Sequence, residues 1–314
     1  MESVLTQALS TLWESADLPS DFIEHLDTVC QPLFPKNGEQ SKHPLHILPH
    51  LFCEHVGGDP QLLNSILIAW NILRQAARIL DDFEDGDIQE GSKAGLLLNT
   101  STGLIFSANM LLSNLENEGA TPEVAQAIRQ RFYSVLLQTC YGQHLDLLSQ
   151  QPSLETRWQI TRQKSGYFLG LITWISARLG IDDPEQLGLY QEFGEILGIM
   201  DQIHDDLVDL KSTEQAAGDL TRPYHWSLPA AYAFSVLPEP QQTQLQTYLN
   251  EASSCAQAEA KAREMIIESG AGLYLTVQLT IYSQRGQKLV QQMGLRSNEA
   301  AIPLGILEKL CHVN

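Results

Sequence analysis

Residues 62–87 read LLNSILIAWNILRQAARILDDFEDGD, and this stretch decides the fold. Leu62, Leu63, Ile66, Ala69, Trp70, Leu73, Ala77 and Leu80 recur at three- and four-residue steps, the period of an α-helix with one apolar face. The helix then runs into Asp81-Asp82-Phe83-Glu84-Asp85-Gly86-Asp87. On a helix Asp81 and Asp85 lie one turn apart on the same face, with Asp82 beside them. These carboxylates repel one another, and they stand at a helix C-terminus, where the dipole disfavours negative charge. The arrangement is costly without a cation. Mg²⁺ suits it, because that ion prefers oxygen and takes one or two carboxylates together with phosphate oxygens.

The same period recurs further along, at Phe132, Val135, Leu136, Cys140 and Leu147, and again at Ile196, Ile199, Ile203, Leu207 and Leu210. The last run carries a second acidic motif, Gln202-Ile203-His204-Asp205-Asp206-Leu207-Val208-Asp209, with the same i, i+1, i+4 spacing. One acidic helix end is ordinarily a solvated surface. Two D-D-x-x-D patterns, each closing an apolar helix, argue for a shared chemical task. Alternating strand patterns and Asn-Gly hairpin signals are absent. Thr121-Pro122-Glu123 and Asp182-Asp183-Pro184-Glu185 read as helix starts. No composition shift marks a linker, so the pattern predicts an all-α, single-domain helical bundle over 1–314, of roughly ten or more helices. Lys211–Pro229 is the least regular stretch, either a mobile loop over a site or a plain surface connection.

Charged residues are 18% of the 314, below the roughly 25% of an average soluble domain, so much of the chain should be buried. The net charge of −19 disfavours nucleic acid and anionic membrane surfaces as partners. A small anionic substrate would need metal ions or a few placed cations. The five cysteines are scattered and odd in number, which fits free thiols in a reducing cytoplasm better than a disulfide framework. The first twenty residues lack a signal-peptide pattern, and no stretch of about 18 apolar residues stands out, so no integral membrane segment is expected.

Further motifs complete a pattern. Gly142-Gln143-His144-Leu145-Asp146-Leu147 is similar to a G-Q-x-L-D-L signature, Lys164-Ser165-Gly166 to a K-T/S-G segment, Gln202 through Asp209 to Q-x-x-D-D-x-x-D, and Ser227-Leu228-Pro229 to T-L-P. Cys53 through Asp59 resembles the end of a first conserved helix. In this order, from about Lys42 to Pro229, they resemble the trans-isoprenyl diphosphate synthase superfamily, the polyprenyl synthetase-type enzymes. The resemblance implies the isoprenoid synthase fold with a central active-site cavity. It implies that Asp81, Asp82 and Asp85 hold Mg²⁺ from one side of that cavity and Asp205, Asp206 and Asp209 from the other. It implies that Lys164 contacts the diphosphate, that Gln202 orients the second motif, and that Gln143, Asp146 and Lys42 belong to the substrate site. Ala76 and Ala77, one turn before the first motif, stand where relatives place bulky residues that limit chain length; both are small here, which implies a long prenyl tail. A homodimer is implied by analogy.

The departures concern the second substrate. The family's G-G-K-R-x-R-P segment, which binds isopentenyl diphosphate, corresponds to Gln40-Ser41-Lys42-His43-Pro44-Leu45-His46. The arginines that follow the first motif are replaced by Asp87-Ile88-Gln89-Glu90-Gly91, the preceding histidine by Leu80, and a phenylalanine by Asp201. Bidentate arginine contacts to phosphate are poorly replaced by such residues. The expected activity is therefore Mg²⁺-dependent ionisation of an allylic prenyl diphosphate, followed by cyclisation, elimination, water capture or transfer to another acceptor. The alternatives are ordinary elongation with isopentenyl diphosphate and a non-catalytic partner subunit. Arg285 and Lys288 could reach a diphosphate or serve as cations near a helix end. His43, His46, His50 and Cys53 would line one side of a helix, which Pro44 and Pro49 should interrupt, so packing, or a modest phosphate-facing role for His43, is preferred there over a transition-metal site.

Overall fold

A computed structural model describes residues 2–30, 44–84, 92–148, 151, 153–211 and 226–312. Every element among them is helical, as the three- and four-residue periodicity predicts. Contacts divide the chain into two compact units, Met1–Phe132 with Ile175–Asp183, and Tyr133–Trp174 with Pro184–Asn314.

The first unit holds α1 (Glu2–Ser15), α2 (Ser20–Cys30), α3 (Pro44–His55), α4 (Pro60–Glu84), α5 (Ser92–Ser113) and the start of α6 (Pro122–Leu148). α4 is the long apolar helix foreseen in the sequence, and it buries Leu63, Ile66, Trp70, Leu73 and Ala76 against its surroundings. Its main neighbour is α5, whose Ser101 hydroxyl donates to the Ala76 carbonyl at 3.0 Å. The Trp13 indole N–H donates to Ser107 at 2.8 Å and so ties α1 to α5.

Two expectations change here. Pro44 opens α3 in its first turn, where a missing N–H is tolerated, and Pro49 lies inside the helix without ending it. Within α5, Ala94–Ser113 is long and apolar enough to cross a membrane, although no such stretch was expected; 39% of it is buried within the structure. Serine, threonine, asparagine and glycine interrupt its apolar residues without adding charge, which hid the stretch.

All five cysteines are free thiols, as their spacing suggested. Burial, then the charge of Asp27, pushes the Cys30 thiol up to about 12. Burial, then Asp59 and Glu54, pushes Cys53 up to about 11. Burial likewise lowers the His50 pKa, against the pull of Glu54. Cys53 is buried and His50 half-buried on α3, which fits a packing role, while His43 and the His46 side chain lie outside the described residues.

The second unit continues α6 and adds α7 (Leu154–Thr161), a π-turn (Arg162–Gly166), all but the last turn of α8 (Tyr167–Arg178), α9 (Pro184–Lys211), α10 (Leu228–Val236), α11 (Glu239–Glu251), α12 (Ala256–Glu268), α13 (Ala271–Gln292) and α14 (Ser297–Cys311). α9 and α13 pack side by side. A core of Leu210, Trp226, Ala230, Ala233, Leu245, Leu249, Ala262 and Ile266 joins the end of α9 to α10, α11 and α12.

Candidate active site

In the first unit, Asp81 and Asp82 stand in the last turn of α4, half-buried. Asp85 lies outside the described residues, as do Lys42, His43 and most of the stretch expected to form a loop, 212–225. Ala76 is 1% exposed and so belongs to the packed side of α4, whereas Ala77 is exposed. A larger side chain fits at 77 without overpacking a core; at 76 it does not.

In the second unit, the residues expected to form the site are brought together by close backbone approach. A Cβ on Gly198 would fall 2.2 Å from the Ser165 carbonyl oxygen, and one on Gly194 would fall 2.6 Å from the Leu169 carbonyl oxygen. Only glycine lets α9 lie this near the π-turn and α8. Gly142 plays the same part in α6, where a Cβ would meet the Gln163 side chain at 2.8 Å. The π-turn is a single widened turn in which the Tyr167 N–H reaches back to the Arg162 carbonyl. Such turns recur at functional sites because they displace the side chains they carry. This one carries Lys164, Ser165 and Gly166.

Two networks fix these residues. Asp146, one turn beyond Gly142, accepts from Arg157 at 2.5 Å and from Lys164 at 3.0 Å. Arg157 is 3% exposed, so Asp146 compensates a buried cation while it holds the Lys164 ammonium in place. Asp146 thus acts as an anchor for Lys164. Replacing Asp146 with alanine is expected to destabilise the protein by about 3–5 kcal/mol, since Arg157 would be left buried without a partner charge. Urea unfolding checks this, and a change below about 1 kcal/mol would contradict it.

The second network runs from the π-turn into α9. The Ser165 hydroxyl donates to the Gln202 carbonyl oxygen at 3.3 Å, and the Gln202 amide donates to Asp206 Oδ1 at 2.8 Å. Asp206 Oδ2 accepts the Leu228 backbone N–H at 2.9 Å, at the start of α10. Asp206 is 2% exposed. Both its oxygens are engaged inside the protein, one with Gln202 and the other with Leu228.

The other two aspartates of the motif differ. Asp205 has a side chain 70% exposed, and Asp209 is half-buried on the same side of α9. Partial desolvation, then the charge of Asp201, pushes the Asp205 carboxyl above the ordinary carboxylate range; Asp209 adds to this and His204 opposes it. Below Asp209, one guanidinium nitrogen of Arg263 donates to the Asp209 and Leu210 carbonyls, while the other pairs with Glu259 at 2.7 Å. Arg263 thereby caps the C-terminus of α9 and sets a positive charge against its dipole.

The carboxylates of each unit suit Mg²⁺ taken by themselves: Asp81 and Asp82 in the first, and Asp205 and Asp209 in the second, offer hard oxygens that are not fully buried. This is the condition under which Mg²⁺ is held by one or two carboxylates and completed by phosphate oxygens and water. Arg285 does not extend the site: it pairs with Glu192 at 2.6 Å on the surface.

Arg157 and Arg263 were missed in the sequence, where nothing in their spacing marks them. The Ser165–Gln202 contact had a signal. Gly166 and Gly170 are four apart, as are Gly194 and Gly198, the pattern of two helices packed at their glycines.

The fold is that of solved prenyl synthases. A geranylgeranyl pyrophosphate synthetase from Pyrococcus horikoshii superposes with a TM-score of 0.77 at 16% identity, covering 99% of this chain and 95% of that one. A decaprenyl diphosphate synthase from Rhodobacter capsulatus gives 0.79 at 13% identity, with 99% and 98% covered. The polyprenyl synthetase family model matches residues 25–266, and the chain belongs to that family. Among curated proteins it is similar to a short chain isoprenyl diphosphate synthase of Methanothermobacter thermautotrophicus, 25% identical over 180 residues, and to a geranylgeranyl diphosphate synthase of Methanosarcina mazei, 26% identical over 185. Each alignment covers 54% of this chain and 54% of the relative, so the match spans about half the length of the curated relatives.

Proposed function

We propose that this protein is an isoprenoid-biosynthesis enzyme that binds an allylic prenyl diphosphate with Mg²⁺ and ionises it, without using isopentenyl diphosphate as the acceptor. The observation that carries the reading is the π-turn, which presents Lys164, held by Asp146, next to Ser165, which bonds Gln202 on the helix of the second aspartate motif. Asp81, Asp82 and Asp85 would hold Mg²⁺ from the first motif, and Asp205 and Asp209 from the second. When bound, these ions neutralise the charge that develops on the departing diphosphate. Lys164, presented by Asp146, contributes a further positive charge to the diphosphate, and Gln202 keeps α9 in register with the π-turn. The tail is proposed to be of geranylgeranyl size or longer, with exposed Ala77 as the position beside it. The resulting cation ends by cyclisation, elimination, water capture or transfer to another acceptor. The chain, 1–314, is proposed to act as one catalytic domain, since the family match spans residues from both units. Its free thiols accord with a reducing cytoplasm.

A second reading, chain elongation with isopentenyl diphosphate, is favoured by the synthase relatives. A non-catalytic partner subunit is disfavoured, because clustered aspartates kept at a cost in repulsion are not needed there. The test is to incubate the purified protein with geranyl, farnesyl and geranylgeranyl diphosphates and to measure released diphosphate with Mg²⁺ or with EDTA. Release that depends on Mg²⁺ supports the reading; equal release in EDTA, or none with any substrate, overturns it.

A further inference from the structure

We infer that Asp206, the middle aspartate of the second motif, is a positioning residue that locks the diphosphate-contact turn to the metal-binding helix and to the start of α10. This rests on the proposed function, in which Asp205 and Asp209 serve the metal.

Asp206 takes the opposite side of α9 from Asp205. The Asp205 side chain is 70% exposed, whereas Asp206 is 2% exposed. One of its oxygens is held within α9 and the other reaches α10. One accepts from Gln202, four residues earlier on α9, and Gln202 in turn accepts from Ser165 in the π-turn. The other accepts the Leu228 N–H at 2.9 Å. The ordinary N-cap of α10, Ser227, makes no side-chain bond to its own helix. A carboxylate from α9 therefore does the capping, and its charge is favourable at a helix N-terminus. The next residue to Ser165 is Lys164, so the chain Leu228–Asp206–Gln202–Ser165 ties the start of α10 to the lysine proposed to meet the diphosphate. The close approach at Gly198 leaves the π-turn little room to settle elsewhere.

The polarity of this chain suggests a discriminating substitution. In Asp206→Asn, the new amide oxygen can still accept from Leu228. Its NH₂ can donate to Gln202 once the Gln202 amide reverses, and the Ser165 hydroxyl can accept as readily as donate. The network survives with its direction inverted. Asp206→Leu fills the same space and breaks both links. A metal-binding aspartate has no such tolerance, because an asparagine in its place removes the charge that holds the ion.

The experiment uses the full chain and inorganic pyrophosphate as probe. Manganese binding is followed by electron paramagnetic resonance with and without pyrophosphate, and pyrophosphate affinity by calorimetry at saturating Mn²⁺. Asp205→Asn, Asp206→Asn and Asp206→Leu are compared at a temperature where each is folded by circular dichroism. The expected result is that Asp206→Leu weakens pyrophosphate binding about tenfold or more, the value of one charge-assisted hydrogen bond. Its Mn²⁺ stoichiometry should persist, and Asp206→Asn should recover all but about a fivefold loss. Asp205→Asn should lose Mn²⁺ itself. The inference is overturned if Asp206→Asn loses Mn²⁺ as fully as Asp205→Asn, which would make Asp206 a ligand. It is equally overturned if Asp206→Leu lowers the melting temperature yet leaves pyrophosphate affinity unchanged, which would make the bond purely structural. If Asp205→Asn itself leaves Mn²⁺ and pyrophosphate binding unchanged, the proposed function fails, and the inference with it.

Discussion

Asp81→Ala, Asp82→Ala and Asp205→Ala are each expected to slow diphosphate release by about two to four powers of ten, with helical circular dichroism nearly unchanged. The size follows from the several kcal/mol of leaving-group stabilisation that a ligand of this kind controls, at about 1.4 kcal/mol per factor of ten. The retained fold follows from exposure. Asp81 and Asp82 are half-buried in the final turn of α4, and the Asp205 side chain is largely in solvent, so none supports a core. Removing Asp205 even relieves some repulsion, given how Asp201 and Asp209 bear on its carboxyl. The check is a pyrophosphate-release assay at saturating Mg²⁺ beside a circular dichroism spectrum of each variant. Release within threefold or so of the parent in all three variants would remove the metal assignment.

The second large effect concerns isopentenyl diphosphate, which is expected to bind about a thousandfold or more weakly than to a site with a full set of cations. A second diphosphate would bring about three more negative charges to a protein whose net charge is already −19. Elongating relatives are expected to offset this with arginines, each charged hydrogen bond contributing roughly 1.5–3 kcal/mol. Here Lys42 remains of the early segment, with His43 and Leu45 in place of its arginines, and the stretch after the first motif reads Asp87-Ile88-Gln89-Glu90-Gly91. Three lost contacts amount to about three or more powers of ten. Arg285, one of the two cations that the sequence offers as a replacement, pairs with Glu192 at 2.6 Å. Calorimetric titration with isopentenyl diphosphate and Mg²⁺ should show no saturation below about 1 mM; affinity near 1 µM would contradict the argument and favour elongation.

The acidic motifs and the helices that carry them were legible because each combines a long 3.6-residue period with a charged end. The starts of α6 and α9 were legible because Pro122 and Pro184 stand in the first helical turn. The π-turn was not. A shift from an i+4 to an i+5 hydrogen bond alters one turn and leaves no trace in composition, so Lys164-Ser165-Gly166 was readable only as a motif. Nor was the different burial of the aspartates within the second motif. Asp205 and Asp206 are neighbours in sequence, but successive residues on a helix point about 100° apart, and only packing shows that Asp206 turns inward. The same holds for Ala76 and Ala77. Pro49 misled in the other direction, because a proline in the second turn forfeits one hydrogen bond near a helix start, which α3 absorbs. Arg157 and Arg263 act through contacts eleven and more than fifty residues away in sequence, beyond any local pattern.

The central claim is that the chain ionises an allylic diphosphate without condensing it with isopentenyl diphosphate. The most direct measurement is product analysis with geranylgeranyl diphosphate and Mg²⁺, run with and without radiolabelled isopentenyl diphosphate. The account predicts diphosphate release in both reactions, together with an unlabelled hydrocarbon, alcohol or prenylated acceptor. Labelled, elongated prenyl diphosphates formed at ordinary turnover, with no release when isopentenyl diphosphate is left out, would contradict it.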